Sequence, residues 1–133
     1  QAAKSRGARA IPLKVSGAWH SDLIKGAKEE FMAYLDPIPF ASPVNTVIHN
    51  VTADSCDDGE AIQQLMARQL CSPVRWYDTI HRMVSEEVNV FVEVGPGNVL
   101  TGLLKKIVPE DNDHMVFSVG NMKMLESLVS ALT

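Results

Sequence analysis

The sequence lacks the features by which several large classes of protein are recognised. It has no apolar run long enough to cross a membrane and no secretory signal pattern, so we expect no membrane partner. Its two cysteines, Cys56 and Cys71, form neither a CxxC motif nor a zinc-ligand spacing, which favours a reducing, cytoplasmic location. The formal net charge of -4 provides no basic excess, so we expect no nucleic-acid partner.

Motifs for nucleophiles, phosphates and metals are missing as well. No Gly-x-Ser-x-Gly and no HExxH occurs. The turn at residues 95–97 reads Gly-Pro-Gly, but Leu100 stands where a dinucleotide-binding loop needs its third glycine. Residues 54–59 are acidic, but a calcium loop that begins at residue 54 would have Cys56 and Leu65 at positions that need oxygen ligands. We therefore expect no metal and no permanently bound cofactor, and a tight strand-to-helix turn at 95–97.

What the sequence does contain is a regular alternation of strand-like and helix-like segments. With 133 residues, 46% of them hydrophobic and 21% charged, it has the composition of a soluble globular domain. Apolar spacing and end signals predict a short opening helix capped by Gly7, strands over 8–15, 46–50, 90–94 and 115–119, and helices over 22–35, 60–70, 75–87, 99–107 and 122–132. This alternation predicts an α/β fold with a mostly parallel sheet, in which the apolar strand 90–94 is buried on both faces.

One histidine stands in a context that suits proton transfer. Residues 15–23 are predicted to form a strand end, a turn of small residues that carries His20, and the start of a helix with Ser21 as its N-cap. Histidine exchanges protons near neutral pH, so His20 is a candidate general base. A histidine beside an apolar helix is more often structural, however, and no recognisable nucleophile accompanies this one.

Three segments together resemble the malonyl-CoA:acyl-carrier-protein transacylases. Residues 17–21 read Gly-Ala-Trp-His-Ser, which is similar to the catalytic histidine motif of that family. Residues 68–76 contain Arg-Gln-Leu and Ser-Pro-Val-Arg-Trp, which resemble a second landmark. Residues 93–103 contain Glu-Val-Gly-Pro-Gly and Val-Leu-Thr-Gly-Leu, which resemble a third. The segments occur in the family's order with similar spacing, and the resemblance covers nearly the whole chain.

The resemblance implies a particular architecture. The family has a large α/β-hydrolase-like subdomain with a small ferredoxin-like subdomain inserted into it. Residues 1–14 would be the tail of the small subdomain, which is otherwise almost wholly absent, and residues 15–133 the C-terminal half of the large one. The family's nucleophilic serine, its oxyanion-hole residues and its malonate-binding arginine precede this region. We therefore expect a C-terminal portion of an enzyme that is inactive alone and that self-associates or needs the missing N-terminal half.

The resemblance also implies the chemistry and the residues that carry it. In the family, a serine takes the malonyl group from coenzyme A, and the phosphopantetheine thiol of acyl carrier protein then removes it, in fatty acid biosynthesis. By motif position, His20 is the catalytic base and Gln69 supplies the main-chain carbonyl that holds its ring. Trp19 corresponds to a substrate-binding position where a bulky ring favours malonyl groups. The alternative for Trp19 is that it simply packs into the core.

Two other functions stay open at this point. The first is an acyltransferase domain of a polyketide synthase, although the short connector 37–43 and the absence of a linker after the last helix favour a free-standing enzyme. The second is a non-catalytic fragment that binds a carrier protein. The intact motif around His20 argues against that function, because a binding module has no need of a base.

Overall fold

The structure is a computed structural model that describes residues 2–9, 15–108 and 114–133. These ranges contain both helices and strands, which alternate regularly from residue 90 onwards, and this confirms the predicted α/β class. The helices are α1 (Ala2–Ser5), α2 (Gly26–Leu35), α3 (Gly59–Gln69), α4 (Trp76–Ser85), α5 (Val99–Ile107) and α6 (Met122–Leu132), with a 3₁₀ helix at Asp22–Ile24 before α2. The strands are β1 (Ile48–His49), β2 (Asp54–Ser55), β3 (Val90–Val94) and β4 (Met115–Val119).

The strands form two small sheets of different kinds. β3 and β4 pair in parallel, with Val90 opposite Met115 and Val94 opposite Val119. β1 and β2 form an antiparallel hairpin, so the prediction of a mostly parallel sheet is right only for the first pair. The strand predicted over 46–50 is shorter than expected, at Ile48–His49, and β2 lies in the acidic segment 54–59, where no strand is predicted. Strands of two residues are too short to show the alternation that identifies a strand in a sequence.

Strand β3 is less buried than its apolar sequence predicts. The side chains of Val92 and Val94 are 38% and 80% exposed. Within the described ranges β3 pairs with β4 alone, so one of its edges has no neighbouring strand. The prediction of burial on both faces is therefore wrong for this chain as it stands, and apolar surface is exposed there.

The segment after His20 is also less regular than predicted. A 3₁₀ turn at Asp22–Ile24 precedes α2, which begins at Gly26. Of the apolar side chains of α2 only Leu35 is buried, while Ala27 and Tyr34 are exposed. The physical reason is that α2 packs mainly against α3, so only part of its surface is covered.

The buried core is small and comes mainly from α3, α4 and α5. Ile80 of α4 is 1% exposed, and Ala67 of α3 is fully buried. The other buried apolar side chains are Leu35, Ala53, Ile62, Leu65 and Leu104. α4 packs against α5, and α6 packs against β4. α3 thus contributes Ile62 and Leu65 to the core, and α4 contributes Ile80.

The structure tests only part of what the sequence predicts for the first fifteen residues. Gly7 has a φ of +75° and its N–H bonds to the Lys4 carbonyl, so the predicted glycine cap of the opening helix is confirmed. Most of the strand predicted over 8–15 lies outside the described residues. Ala8, Arg9 and Val15, which are described, are not in a strand.

Two arginines of the α4 region hold the β1–β2 hairpin in place. The Arg75 N–H bonds to the Asn50 carbonyl at 2.9 Å, and its guanidinium donates to the Thr52 carbonyl at 2.8 Å. Arg82 forms ion pairs with Asp54 of the hairpin and with Glu86. Residues at the start of α4 and in its last turn therefore both bind the hairpin.

Glu93 connects the parallel sheet to the helix that follows it. Its carboxylate accepts hydrogen bonds from the backbone N–H groups of Thr101 at 2.8 Å and Leu100 at 3.1 Å. These N–H groups belong to the first turn of α5, where no intrahelical partner exists for them. The hydrogen bond from the Thr101 N–H has the largest effect on the pKa of the Glu93 carboxyl, and the bond from the Thr101 hydroxyl has the next largest. Both lower this pKa below its ordinary value of 4.5. The turn at 95–97 is thus bridged by a charged side chain.

We expect Glu93→Gln to destabilise the chain at neutral pH but not in strong acid. Because the folded chain lowers this pKa, the stabilisation is complete above pH 4.5 and disappears as the pH falls through the lowered value. Urea unfolding of both proteins at neutral pH and at a series of decreasing pH values below 4.5 measures how the difference changes. Glu126→Gln, on the exposed surface of α6, is the control. A difference that is equal at all these pH values would contradict this role.

Candidate active site

His20 lies in a tight turn that is attached to the C-terminal end of α3. Its backbone has a φ of +62°, in the left-handed region that a residue other than glycine rarely adopts. Its N–H donates to the Leu70 carbonyl at 2.8 Å, far along the sequence. A left-handed residue costs about 1–2 kcal/mol, so this bond stabilises a conformation that the turn would not adopt alone.

The imidazole ring is held by a second carbonyl from the same helix end. Nδ1 of His20 lies 2.8 Å from the carbonyl oxygen of Gln69. A carbonyl oxygen only accepts hydrogen bonds, so Nδ1 carries the hydrogen and Nε2 of the neutral ring keeps its lone pair. His20 is exposed, and within the described chain its ring makes no other hydrogen bond. Nε2 is therefore accessible as a proton acceptor.

The end of α3 explains why two carbonyls are available to His20. The helix ends at Gln69, and its last carbonyl groups have no N–H partner within the helix. Pro73, which has no N–H, follows shortly afterwards. The carbonyls of Gln69 and Leu70 are therefore free to accept the two hydrogen bonds from His20.

Ser21 takes a different part from the one predicted. It occupies the N-cap position of the 3₁₀ helix, with extended backbone angles, but its side chain does not cap that helix. Instead its hydroxyl donates to the Ala18 carbonyl at 2.7 Å. The hydroxyl therefore closes the turn that presents His20.

Trp19 lies on the surface next to His20. Its side chain is 64% exposed, so the alternative of core packing is wrong for the described chain. The five-membered ring of the indole lies over Gly17. A Cβ built at Gly17 would be 2.9 Å from the indole Nε1 and 3.2 Å from Cδ1.

The family resemblance points to His20, Trp19 and Gln69 as site residues, and the structure brings His20 and Gln69 into contact. Sequence reasoning missed Leu70 and Gly17. Leu70 acts through its main chain, so its side chain gives no signal. The small size of Gly17 within a turn of small residues was a signal, but the sequence alone does not show which group fills the space.

Other candidate sites are few in the part of the chain that the structure describes. No three histidine, cysteine or acidic side chains there come together as metal ligands. None of its helices has both the length and the apolar character needed to span a bilayer. An apolar cavity of about 360 Å³ opens between α4 and β3, and Trp76, Ile80 and Val90 are among its lining residues. His20 is not part of that lining.

Comparisons with known proteins give one consistent relationship. No protein-family model matches the chain. Over 106 residues, 79% of this chain, it is 44% identical to the malonyl CoA-acyl carrier protein transacylase of Bacillus subtilis strain 168. That match covers 33% of the relative, and the chain spans about a third of the length of the curated relatives it matches.

Solved structures agree with this relationship. An acyl-carrier-protein S-malonyltransferase from Burkholderia pseudomallei 1710b superposes with a TM-score of 0.87 at 35% identity, over 97% of this chain and 41% of the other. A malonyl-transacylase in complex with its type II polyketide synthase acyl-carrier protein superposes with a TM-score of 0.88 at 37% identity, over 98% of this chain and 41% of the other. The resemblance to malonyl transacylases, inferred from the three motifs, is therefore confirmed.

Proposed function

We propose that this chain supplies the proton-transfer half of a malonyl transacylase active site, with His20 as the catalytic base. The observation that carries the proposal is the 2.8 Å hydrogen bond between Nδ1 of His20 and the Gln69 carbonyl. This bond fixes the tautomer and directs the lone pair of Nε2 towards open surface. A histidine held in this way is suited to activate a nucleophile that another part of the enzyme provides.

The proposed reaction transfers a malonyl group from coenzyme A to the phosphopantetheine thiol of an acyl carrier protein. In the first half, Nε2 takes the proton of a serine hydroxyl while the serine oxygen attacks the thioester carbon. The coenzyme A thiolate then leaves and takes that proton from the imidazolium. In the second half, Nε2 takes the proton of the carrier thiol, the thiolate attacks the serine ester, and the serine oxygen recovers the proton. Each proton transfer of this kind typically contributes about 10²–10⁴-fold in rate.

Gln69 takes the place that an aspartate has in a serine–histidine–aspartate triad. Its carbonyl orients the imidazole without a formal charge. The orientation of the ring thus comes from the main chain at the end of α3.

The remaining expectations from the family resemblance are part of the same proposal. Residues 1–14 belong to the small subdomain and residues 15–133 to the large one. Trp19 forms a wall beside the α-carbon of the malonyl group. The serine and the malonate-binding arginine come from polypeptide outside this chain, so the isolated chain has no transferase activity.

The pathway we propose is fatty acid biosynthesis, supported by the 44% identity to the Bacillus subtilis transacylase. A polyketide pathway is the second candidate. Its support is the structural similarity to a malonyl-transacylase bound to a type II polyketide synthase carrier protein. The chemistry of the histidine is the same in both, and only the carrier protein differs.

A chimeric enzyme tests the proposed function. This chain replaces the matched third of the Bacillus subtilis transacylase, and intact-mass spectrometry follows malonyl transfer from malonyl-CoA to a fatty acid or a polyketide carrier protein. We expect transfer by the chimera and none by the isolated chain. A folded chimera that acquires no malonyl group would contradict the proposal. So would an isolated chain that forms an acyl adduct.

We expect Gln69→Ala in this chimera to change the transfer rate by no more than about threefold, because a side-chain substitution leaves the carbonyl in place. Gln64→Ala, an exposed glutamine of the same helix, is the matched control. The measurement is kcat/KM for malonyl-CoA. A loss of about 100-fold specific to Gln69→Ala would assign the orienting contact to the side chain rather than to the main chain.

A further inference from the structure

We propose that Ser21 is a positioning residue for the base, because its hydroxyl closes the turn that holds His20 against the end of α3. The inference rests on the proposed function, in which His20 exchanges the protons. It goes beyond that function because it assigns a role to a side chain that bonds to neither the imidazole nor a reacting group. The only hydrogen that this hydroxyl can donate goes to a main-chain carbonyl of the turn.

The hydrogen bond of Ser21 spans the histidine. Its hydroxyl donates to the Ala18 carbonyl, three residues earlier, at 2.7 Å, and the contact is partly buried. Trp19 and His20 lie between the donor and the acceptor. The bond therefore joins the backbone that enters His20 to the backbone that leaves it. The conformation of the two residues in between is restricted as a result.

His20 needs such a restriction because of its backbone conformation. Its φ of +62° lies in the left-handed region, and a residue other than glycine keeps this conformation only where its surroundings enforce it. Two of the contacts that enforce it are bonds from His20 itself to the Leu70 and Gln69 carbonyls. The third is the bond from Ser21 to Ala18. Of the three, only the third depends on a side chain other than the imidazole.

Removal of the hydroxyl should therefore loosen the turn while it leaves both carbonyls of α3 in place. The backbone of His20 then has access to the ordinary conformations with negative φ, in which its ring no longer meets the Gln69 carbonyl. Because a general base acts only within hydrogen-bond reach of the proton, transfer slows in proportion to the time spent out of position. One hydrogen bond of this kind corresponds to about three- to tenfold in rate.

A pair of substitutions of equal shape tests this role in the chimera described above. Threonine keeps the hydroxyl of Ser21, whereas valine has a methyl group in its place. The backbone of Ser21 is extended, with a φ of −139° and a ψ of 162°, which suits both β-branched residues. We expect Ser21→Val to slow both half-reactions by about three- to tenfold, and Ser21→Thr to stay within about twofold of the unsubstituted rates. Rapid-quench measurement of each half-reaction gives these rates.

Ser85 provides the matched control. Its hydroxyl also donates to a carbonyl three residues earlier, that of Arg82, at the same distance of 2.7 Å, but it lies at the end of α4. We expect Ser85→Val and Ser85→Thr to transfer malonyl groups at equal rates. Urea unfolding of all four variants shows whether each is folded. If Ser21→Val does not fold, Ser21→Ala takes its place in the comparison with Ser21→Thr.

A second measurement reports the position of the ring rather than the rate. In the chimera with ¹⁵N-labelled histidine, the neutral His20 ring of Ser21→Val should carry its hydrogen on Nδ1 in a smaller share of molecules than the ring of Ser21→Thr. The reason is that the Gln69 carbonyl, which accepts this hydrogen, is met less often. A purely structural role of Ser21 would lower the stability and leave this share unchanged.

The outcomes separate this inference from the proposed function. A chimera that transfers malonyl groups normally, but whose rates are unchanged by Ser21→Val, would overturn the inference and leave the function intact. Equal losses in Ser21→Val and Ser21→Thr would overturn it as well, because they would depend on size and not on the hydroxyl. So would a loss in Ser21→Val with an unchanged share of Nδ1-protonated rings. Failure of the unsubstituted chimera to transfer malonyl groups would instead count against the function itself.

Discussion

Replacing His20 with alanine in the chimeric enzyme is expected to slow malonyl transfer by about 10²–10⁴-fold. The substitution removes the only group in the described site whose geometry suits a base. Because the same ring serves both half-reactions, formation of the acyl-enzyme and its transfer to the carrier thiol should slow together. Rapid-quench measurement of each half-reaction tests this expectation, with radiolabelled malonyl-CoA for the first and carrier protein for the second.

His81→Ala is the matched control for this experiment. His81 is an exposed histidine on α4 whose ring packs against Tyr77, so its loss tests the general effect of removing an imidazole. We expect His81→Ala to leave both half-reactions within about twofold of the unsubstituted rates. The affinity for carrier protein should be the same in all three proteins. A His20→Ala variant that loses carrier affinity but retains the chemistry would favour the non-catalytic binding function.

The largest effect on stability is expected from Gly59→Ala. Gly59 begins α3 where the helix passes the backbone of Phe40, and a Cβ there would overlap the Phe40 carbonyl oxygen and lie 2.9 Å from its carbon. The obstructing atoms are main-chain atoms, which cannot rotate away as a side chain does. Overpacking of this kind typically costs about 1–3 kcal/mol, and the rigid partner places Gly59→Ala near the upper end of that range.

Gly102→Ala provides the comparison for Gly59→Ala. Gly102 lies within α5, and in the described structure a Cβ there would meet no heavy atom within 4 Å. Alanine is favoured over glycine in a helix by about 0.5–1 kcal/mol, so this variant should be more stable than the unsubstituted chain. Urea unfolding midpoints of the isolated chain measure both changes. Two substitutions of equal effect would show that the Phe40 contact does not constrain α3.

The C-terminal part of the fold could be predicted from the sequence because its signals are strong and local. The bounds of β3, α5, β4 and α6 match the predicted ones. Asn121, the N-cap of α6, is a residue type favoured at this position, and its side chain accepts a hydrogen bond from the Met124 N–H at 3.0 Å. In the hairpin the signals are weak, because each strand has two residues and the positive φ of its turn falls on Ala53 rather than on a glycine.

The site was less accessible to residue-by-residue reasoning. His20 and Gln69 are 49 residues apart, and the atom that connects them is a main-chain oxygen. A carbonyl leaves no pattern of side chains, so only the family resemblance pointed to Gln69. The left-handed backbone of His20 likewise depends on a hydrogen bond to the end of α3, which periodicity does not encode.

The most direct test is the protonation of the His20 ring in the isolated chain, measured by ¹⁵N nuclear magnetic resonance with His20 assigned through the His20→Ala variant. The structure predicts that the neutral form of the ring carries its hydrogen on Nδ1 and has an unprotonated Nε2, because Nδ1 donates to the Gln69 carbonyl. A ring that carries its hydrogen mainly on Nε2 would have no lone pair at the accessible nitrogen. That result would contradict the assignment of His20 as the base of an acyltransferase.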